Sequence, residues 1–175
     1  MFIRTRERMA DMWHRFRPPE EGFVFNERDG LFEARIVPKA TRAIDLFLLL
    51  SFHLDSSVRV AVEDVRRGRM WHADSVALTY AREAMAGVGS LLLTYAGVEV
   101  AMLDRVNQVT LTSQLEIFVY SRTERWFYFL RDLGIRQYRS LESRSWMLER
   151  DEFPSTLELS TAVDAMVKRL ELRPG

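Results

Sequence analysis

VTLTSQLEIFVY, residues 109–120, alternates apolar and polar side chains more regularly than any other stretch of the chain. Val109, Leu111, Leu115, Ile117 and Val119 fall on one side of an extended backbone. Thr110, Thr112, Gln114 and Glu116 fall on the other, and Ser113 is the one weak inward position. Successive side chains of a strand point to opposite faces, so the pattern predicts one strand, half-buried in a sheet with a single wet face.

Working outward, SVRVAVEDV at 57–65 repeats the design, with Val58, Val60 and Val62 inward and Arg59 and Glu63 outward. RRGR at 66–69 turns the chain and Met70-Trp71 begins a return strand, while LLLTYAG and VEVAML read as two more strands. FVFNE and LFEARIV flank Asp29-Gly30, the dipeptide best suited to a two-residue hairpin. IRQY and SWMLE complete the strand-like runs.

Helical runs separate these groups. ATRAIDLFLLLSFHL, with Thr41 as cap, is apolar nearly all round and is expected in the middle of the protein. Asp74 or Ser75 caps a helix over 76–86 that Gly87 stops, which leaves GVGS at 87–90 as a connection. Thr123 caps ERWFYFLRDL, whose stripe is Trp126, Phe129, Leu130 and Leu133, and Gly134-Ile135 suits a Schellman end. Within RWFYFL, Phe127 or Tyr128 is left facing outward. After Pro154, Ser155 and Glu158 form a capping box for a helix burying Leu159, Val163, Met166, Val167 and Leu170.

Strands joined by short turns pair antiparallel, and helices returning after each group cover one face. The expected fold is α+β: a mainly antiparallel sheet with helices packed on it, preceded by an N-terminal amphipathic helix. The rounds share a rhythm but no side-chain similarity, so no repeat is inferred. The expected division is a basic amphipathic arm over 1–17, a Pro-rich linker PPEEG over 18–22, and one α+β domain over 23–175.

Composition narrows the chemistry. The 175 residues carry 25 basic and 25 acidic side chains, so the chain lacks the net positive charge of a general nucleic-acid binder. Without cysteine it has neither disulfides nor thiolate chemistry. Its longest apolar run, LFLLLSF at 46–52, is far short of the ~20 residues of a spanning helix. The opening residues lack the continuous apolar segment of a signal peptide, and a cytoplasmic location is expected. Only Lys39 and Lys168 are lysine among the basic residues; the arginine excess reads as the codon bias of a GC-rich genome.

Two segments share a pattern: His53-x-Asp55-Ser56 and His72-x-Asp74-Ser75. Two histidines and two aspartates would suit zinc, iron or manganese. Both segments fall where one element gives way to another, where Asp and Ser serve as caps and turn formers, so two unrelated loops are expected and no metal or other cofactor is assigned. No Gly-x-Ser-x-Gly elbow frames a serine, and GVGS follows a helix where a phosphate loop would precede one. Glu99 and Glu116 are expected on the outer face in solvent.

The outward-looking feature is the first seventeen residues. Arg4, Arg6, Arg8, Arg15 and Arg17 stand against Glu7 and Asp11, and Phe2, Met9, Trp13 and Phe16 form a helical stripe. Basic amphipathic helices with aromatic anchors dock into protein grooves or onto anionic membranes. The expected binding residues are Phe2, Arg4, Arg8, Met9, Trp13, Arg15 and Phe16 on the arm, with Arg66, Arg67 and Arg69 at the RRGR turn. Function is then expected to be that of a non-catalytic accessory or scaffolding subunit of a larger protein assembly. That assembly could be a membrane protein or lie at the inner face of a membrane; nucleic acid is disfavoured. The alternative is a ligand-binding regulatory domain or small enzyme with a pocket between the sheet and helix 41–53.

Overall fold

The computed structural model describes residues 21–141 and 156–175. The arm expected over 1–17 and the strand expected at SWMLE, 145–149, lie outside the described residues.

Asp29 and Gly30 both take positive φ, 54° and 73°, and close the tight hairpin between β1 (Gly22–Arg28) and β2 (Leu31–Val37). After a 3-10 turn, α1 (Ala43–Ser51) leads to a second hairpin, β3 (Ser57–Asp64) and β4 (Arg69–Ala77). The long helix α2 (Leu78–Tyr95) follows, then a meander of β5 (Val98–Leu103), β6 (Asn107–Leu111) and β7 (Ile117–Ser121). α3 (Arg125–Asp132), a two-residue β8 (Arg136–Gln137), α4 (Leu157–Arg169) and a two-residue β9 (Arg173–Pro174) complete the order.

These strands form one nine-stranded sheet in the order β8-β1-β2-β7-β6-β5-β3-β4-β9. Every pairing is antiparallel except β1 with β8. The α+β expectation and its mainly antiparallel sheet therefore hold for the described residues. Two rows run across the inner face: Phe23, Ile36, Ile117, Leu111, Val100 and Val62, and beside them Phe25, Ala34, Val119, Val109, Met102 and Val60. All but the half-buried Phe25 are buried, and they form one core with the inward side chains of all four helices.

Four expectations need correction. Residues 109–120 are the arms and turn of a β6–β7 hairpin, in which Val109 faces Val119 and Leu111 faces Ile117. Directly opposed residues share a face, and these partners stand an even number of positions apart, so the alternation passes through the turn unbroken. Leu115 makes the bend with φ 62° while its side chain stays buried, and Thr112 Oγ1 accepts the N–H groups of Gln114 and Glu116.

The helix expected to stop at Gly87 runs through Gly87 and Gly89 to Tyr95, absorbing the strand expected at LLLTYAG. Leu78, Ala81, Met85, Val88 and Leu92 keep one inward stripe across both glycines. At Gly89 an added Cβ would stand 2.9 Å from Ile44 Cγ2, so α1 and α2 approach each other there on the strength of a missing side chain.

The caps are displaced as well. Asp74 and Ser75 lie within β4, and Ala77 precedes α2 without a side-chain cap. Arg42 and Glu124 hold the first-cap positions of α1 and α3, again without side-chain bonds. Thr156, one residue past the expected Ser155, caps α4 by accepting the Leu159 N–H at 3.2 Å.

Nor is α1 buried all round: Leu49 is 42% and Phe52 65% exposed, the latter beneath the Arg82 guanidinium. The Schellman end at Gly134 is present as expected, with Ile135 N–H reaching the Leu130 carbonyl. The same bonds close α4 at Glu171, whose φ of 52° occurs without glycine.

Candidate functional site

The chemical groups that stand out in the sequence are dispersed by the fold. His53 follows α1 and its ring meets Phe129 edge-on at 4.1 Å between centroids, with Trp126 at 5.8 Å. Burial, and then the nearby Arg125 charge, hold its pKa below the ordinary histidine value. Asp55 lies 3.7 Å from Arg105. His72 is on β4 opposite Ala61, and Asp74 pairs with Arg59 at 3.1 Å. His72 and Asp74 are thus strand residues and not part of a loop. Among the described residues no three histidine or carboxylate side chains gather where they could hold an ion.

The RRGR turn is occupied by its own body. Arg67 donates from Nε to the buried Asp64 carboxylate at 2.6 Å and from Nη1 to Asp164 at 3.0 Å, and it lies over the Trp71 ring. Arg66 donates to the carbonyls of Tyr95 and Ala96 at the end of α2, with its guanidinium packed against Gly97. Arg69 is the exposed member of the three. The arm residues Phe2 to Phe16 lie outside the described residues.

Between α1 and the sheet, Ala43, Ile44, Leu46, Phe47 and Leu50 are buried and fill the space expected to hold a pocket. A cleft of about 400 Å³ lies elsewhere, between β1 and the chain leaving β8, lined by Val24, Phe25, Asn26, Gln137, Tyr138 and Arg139.

The opposite face of the sheet is the larger feature. Its half-buried apolar residues Val24, Ala101, Leu103, Phe118 and Tyr120 belong to no part of the core, and among the described residues no helix packs on them. Phe118 and Tyr120 stack on one another, 6.1 Å between centroids and 13° between planes. Beside them Arg35 binds Glu116 through both Nε and Nη2, at 2.9 and 3.2 Å, and donates Nη1 to the Leu141 carbonyl at 3.0 Å. Glu116, expected in solvent, is therefore buried and fixed in an ion pair.

The remaining acids give this face its electrostatic character. Glu63 and Glu99 stand directly opposite across β3 and β5. Burial, and then the Glu63 charge, push the Glu99 carboxyl above the usual range. Glu33 faces Tyr120 across β2 and β7. Burial raises the Tyr120 hydroxyl pKa, and Glu33 and then Glu99 add to the rise. Glu99 was legible as outward from its alternation; the neighbouring charge was not, because Glu63 arrives from a strand more than thirty residues away. The result is a half-dry sheet surface with stacked aromatics on β7, Arg35 and Glu33 beside them on β2, and the Glu63–Glu99 pair farther along on β3 and β5.

Among the described residues no helix is long and apolar enough to cross a membrane. No protein-family model, no curated protein and no solved structure matches the chain.

Proposed function

We propose that the protein is a non-catalytic accessory or scaffolding subunit that joins a larger protein assembly through residues 1–17 and through the helix-free face of its sheet. The observation that carries this reading is that face: half-buried Phe118 and Tyr120, stacked on one another with Glu33 opposite Tyr120, and no helix of the described chain upon them. Aromatic side chains at the dry centre of a polar rim are the usual anchors of protein interfaces. The arm supplies a contact of opposite character, basic and amphipathic, suited to an acidic groove or to a membrane-bound assembly at the inner face of the membrane.

Three forms of the chain test the reading by quantitative co-purification from native cells: full length, the chain lacking residues 1–17, and Phe118→Ala/Tyr120→Ala. Both altered forms should remain folded and lose at least nine-tenths of the partner that the full chain retains. Undiminished partner on both forms removes the reading. Aggregation of the shortened form would assign the arm to the core of its own domain.

A further inference from the structure

The sheet is finished unequally at its two ends. At the β1 edge, β8 pairs only at Gly22 and Phe23, and its last bond runs from the Tyr138 N–H to the Phe23 carbonyl at 2.9 Å. Both main-chain groups of a strand residue point to the same side, and the side alternates along the strand. Since Phe23 faces β8, Phe25 and Glu27 turn their N–H and C=O the same way. Beyond Tyr138 the chain veers off, and no strand of the described chain lies along this part of β1. The 400 Å³ cleft occupies the gap.

An unpaired row of backbone donors and acceptors specifies its own complement, an extended chain. The flanking side chains specify the charge. On the core side of β1, the Phe25 ring lies 5.3 Å from Phe127, which carries the Arg131 guanidinium 5.5 Å above it. Beyond Phe127 stands Tyr128, 52% exposed. On the other side, Tyr138 rests against Gly22 beneath the Arg136 guanidinium at 5.1 Å, and Arg139 lines the cleft. Arg131, Arg136 and Arg139 form no ion pair among the described residues. Glu27 is the acid of the edge strand itself, and Asp29 in the turn beyond it lies beside Arg28.

We propose that the β1 edge at Phe25 and Glu27 is a strand-addition site for an extended, acidic segment of a partner protein. The incoming strand enters where β8 leaves and bonds to Phe25 and Glu27. It sets apolar side chains on the core side, against Phe127 and Tyr128, and carboxylates on the other side, beside Arg136 and Arg139. The site adjoins the helix-free face at Val24, but it rests on the unpaired backbone of Phe25 and Glu27, so its test is distinct from that of the proposed function.

The probe is a blocked octapeptide of alternating glutamate and valine, added to the full chain while amide hydrogen exchange is followed residue by residue. The amides of Phe25 and Glu27 should exchange at least tenfold more slowly with peptide, while that of Asn26, which faces β2, is unchanged. N-methylation at alternate peptide nitrogens should abolish the protection. A lysine–valine peptide, or Arg136→Glu/Arg139→Glu in the protein, should weaken binding at least tenfold; these arginines are exposed, so the variant keeps its fold. Unchanged exchange at Phe25 and Glu27 under millimolar peptide overturns the proposal. So does protection already present without peptide that grows with protein concentration, which would make a second copy of the chain the occupant.

Discussion

Asp64 shows how one side chain can stabilise a turn that the sequence advertises as a basic patch. Its carboxylate is 1% exposed and accepts both the Arg67 N–H and Nε, while Asp164 meets the same guanidinium from the surface at half exposure. Removing one member of a buried pair strands the other, at a cost of ~3–5 kcal/mol. Losing an exposed partner costs ~0–1 kcal/mol. Asp64→Ala should therefore lower the urea midpoint several times more than Asp164→Ala; comparable losses would deny the burial its role.

Glu99 works in the opposite direction. The folded chain raises its carboxyl pKa by burial first and by Glu63 second, so across that window the folded state holds a proton that the unfolded state has released. Stability then falls as pH rises from the ordinary glutamate value through the raised one. Glu99→Gln should raise the melting temperature at pH 8, by the equivalent of about 0.2–1 kcal/mol for a like-charge cross-strand pair. The gain should fade towards pH 3, well below the ordinary glutamate value, where both states are largely neutral. A gain of equal size at pH 3 and pH 8 would show that the charge is not its origin.

Among the elements, α2 is the one that resisted reading. Its two glycines look like a stop, and glycine inside a helix costs roughly 0.5–1 kcal/mol relative to alanine. The structure separates them. Gly87 is exposed with open space around its Cβ position, whereas Gly89 faces Ile44 at 2.9 Å. Gly87→Ala should accordingly stabilise the protein by about 0.5–1 kcal/mol. Gly89→Ala should destabilise it, because α1 must move aside. Thermal melts of the two variants check the pair, and the same sign of shift in both would refute the account. The β6–β7 hairpin conceals itself differently. Its inward residues were all identified correctly within one imagined strand, since parity is blind to a reversal that preserves phase.

At the scale of the molecule, the C-terminal twenty residues close the helical layer. Leu159, Val163, Met166, Val167, Leu170 and Leu172 are buried, α4 packs along α2, and β9 pairs with the edge of β4. Burying such a side chain stabilises by ~1.5–3 kcal/mol. Six of them together rival the ~5–15 kcal/mol total stability of an ordinary domain. A chain ending at residue 155 should lose its cooperative unfolding transition and expose the α2 stripe; retention of a sharp melt by circular dichroism would show that α4 is an accessory to the core.

The chain's own pattern determined which side chains face inward on β3, β6 and β7, where the Asp-Gly hairpin lies, how α3 begins and ends, and where α4 begins, within a residue or two. Those features rest on local periodicity and on backbone preferences of neighbouring residues. Only the tertiary structure decided that the β5–β7 meander inserts between β2 and β3, that Arg66 and Arg67 serve their own fold, and that Glu63 meets Glu99. Each of these is a contact between distant segments, and such contacts depend on which strands become neighbours, a choice made by the summed burial of the core and not by any one stretch of sequence.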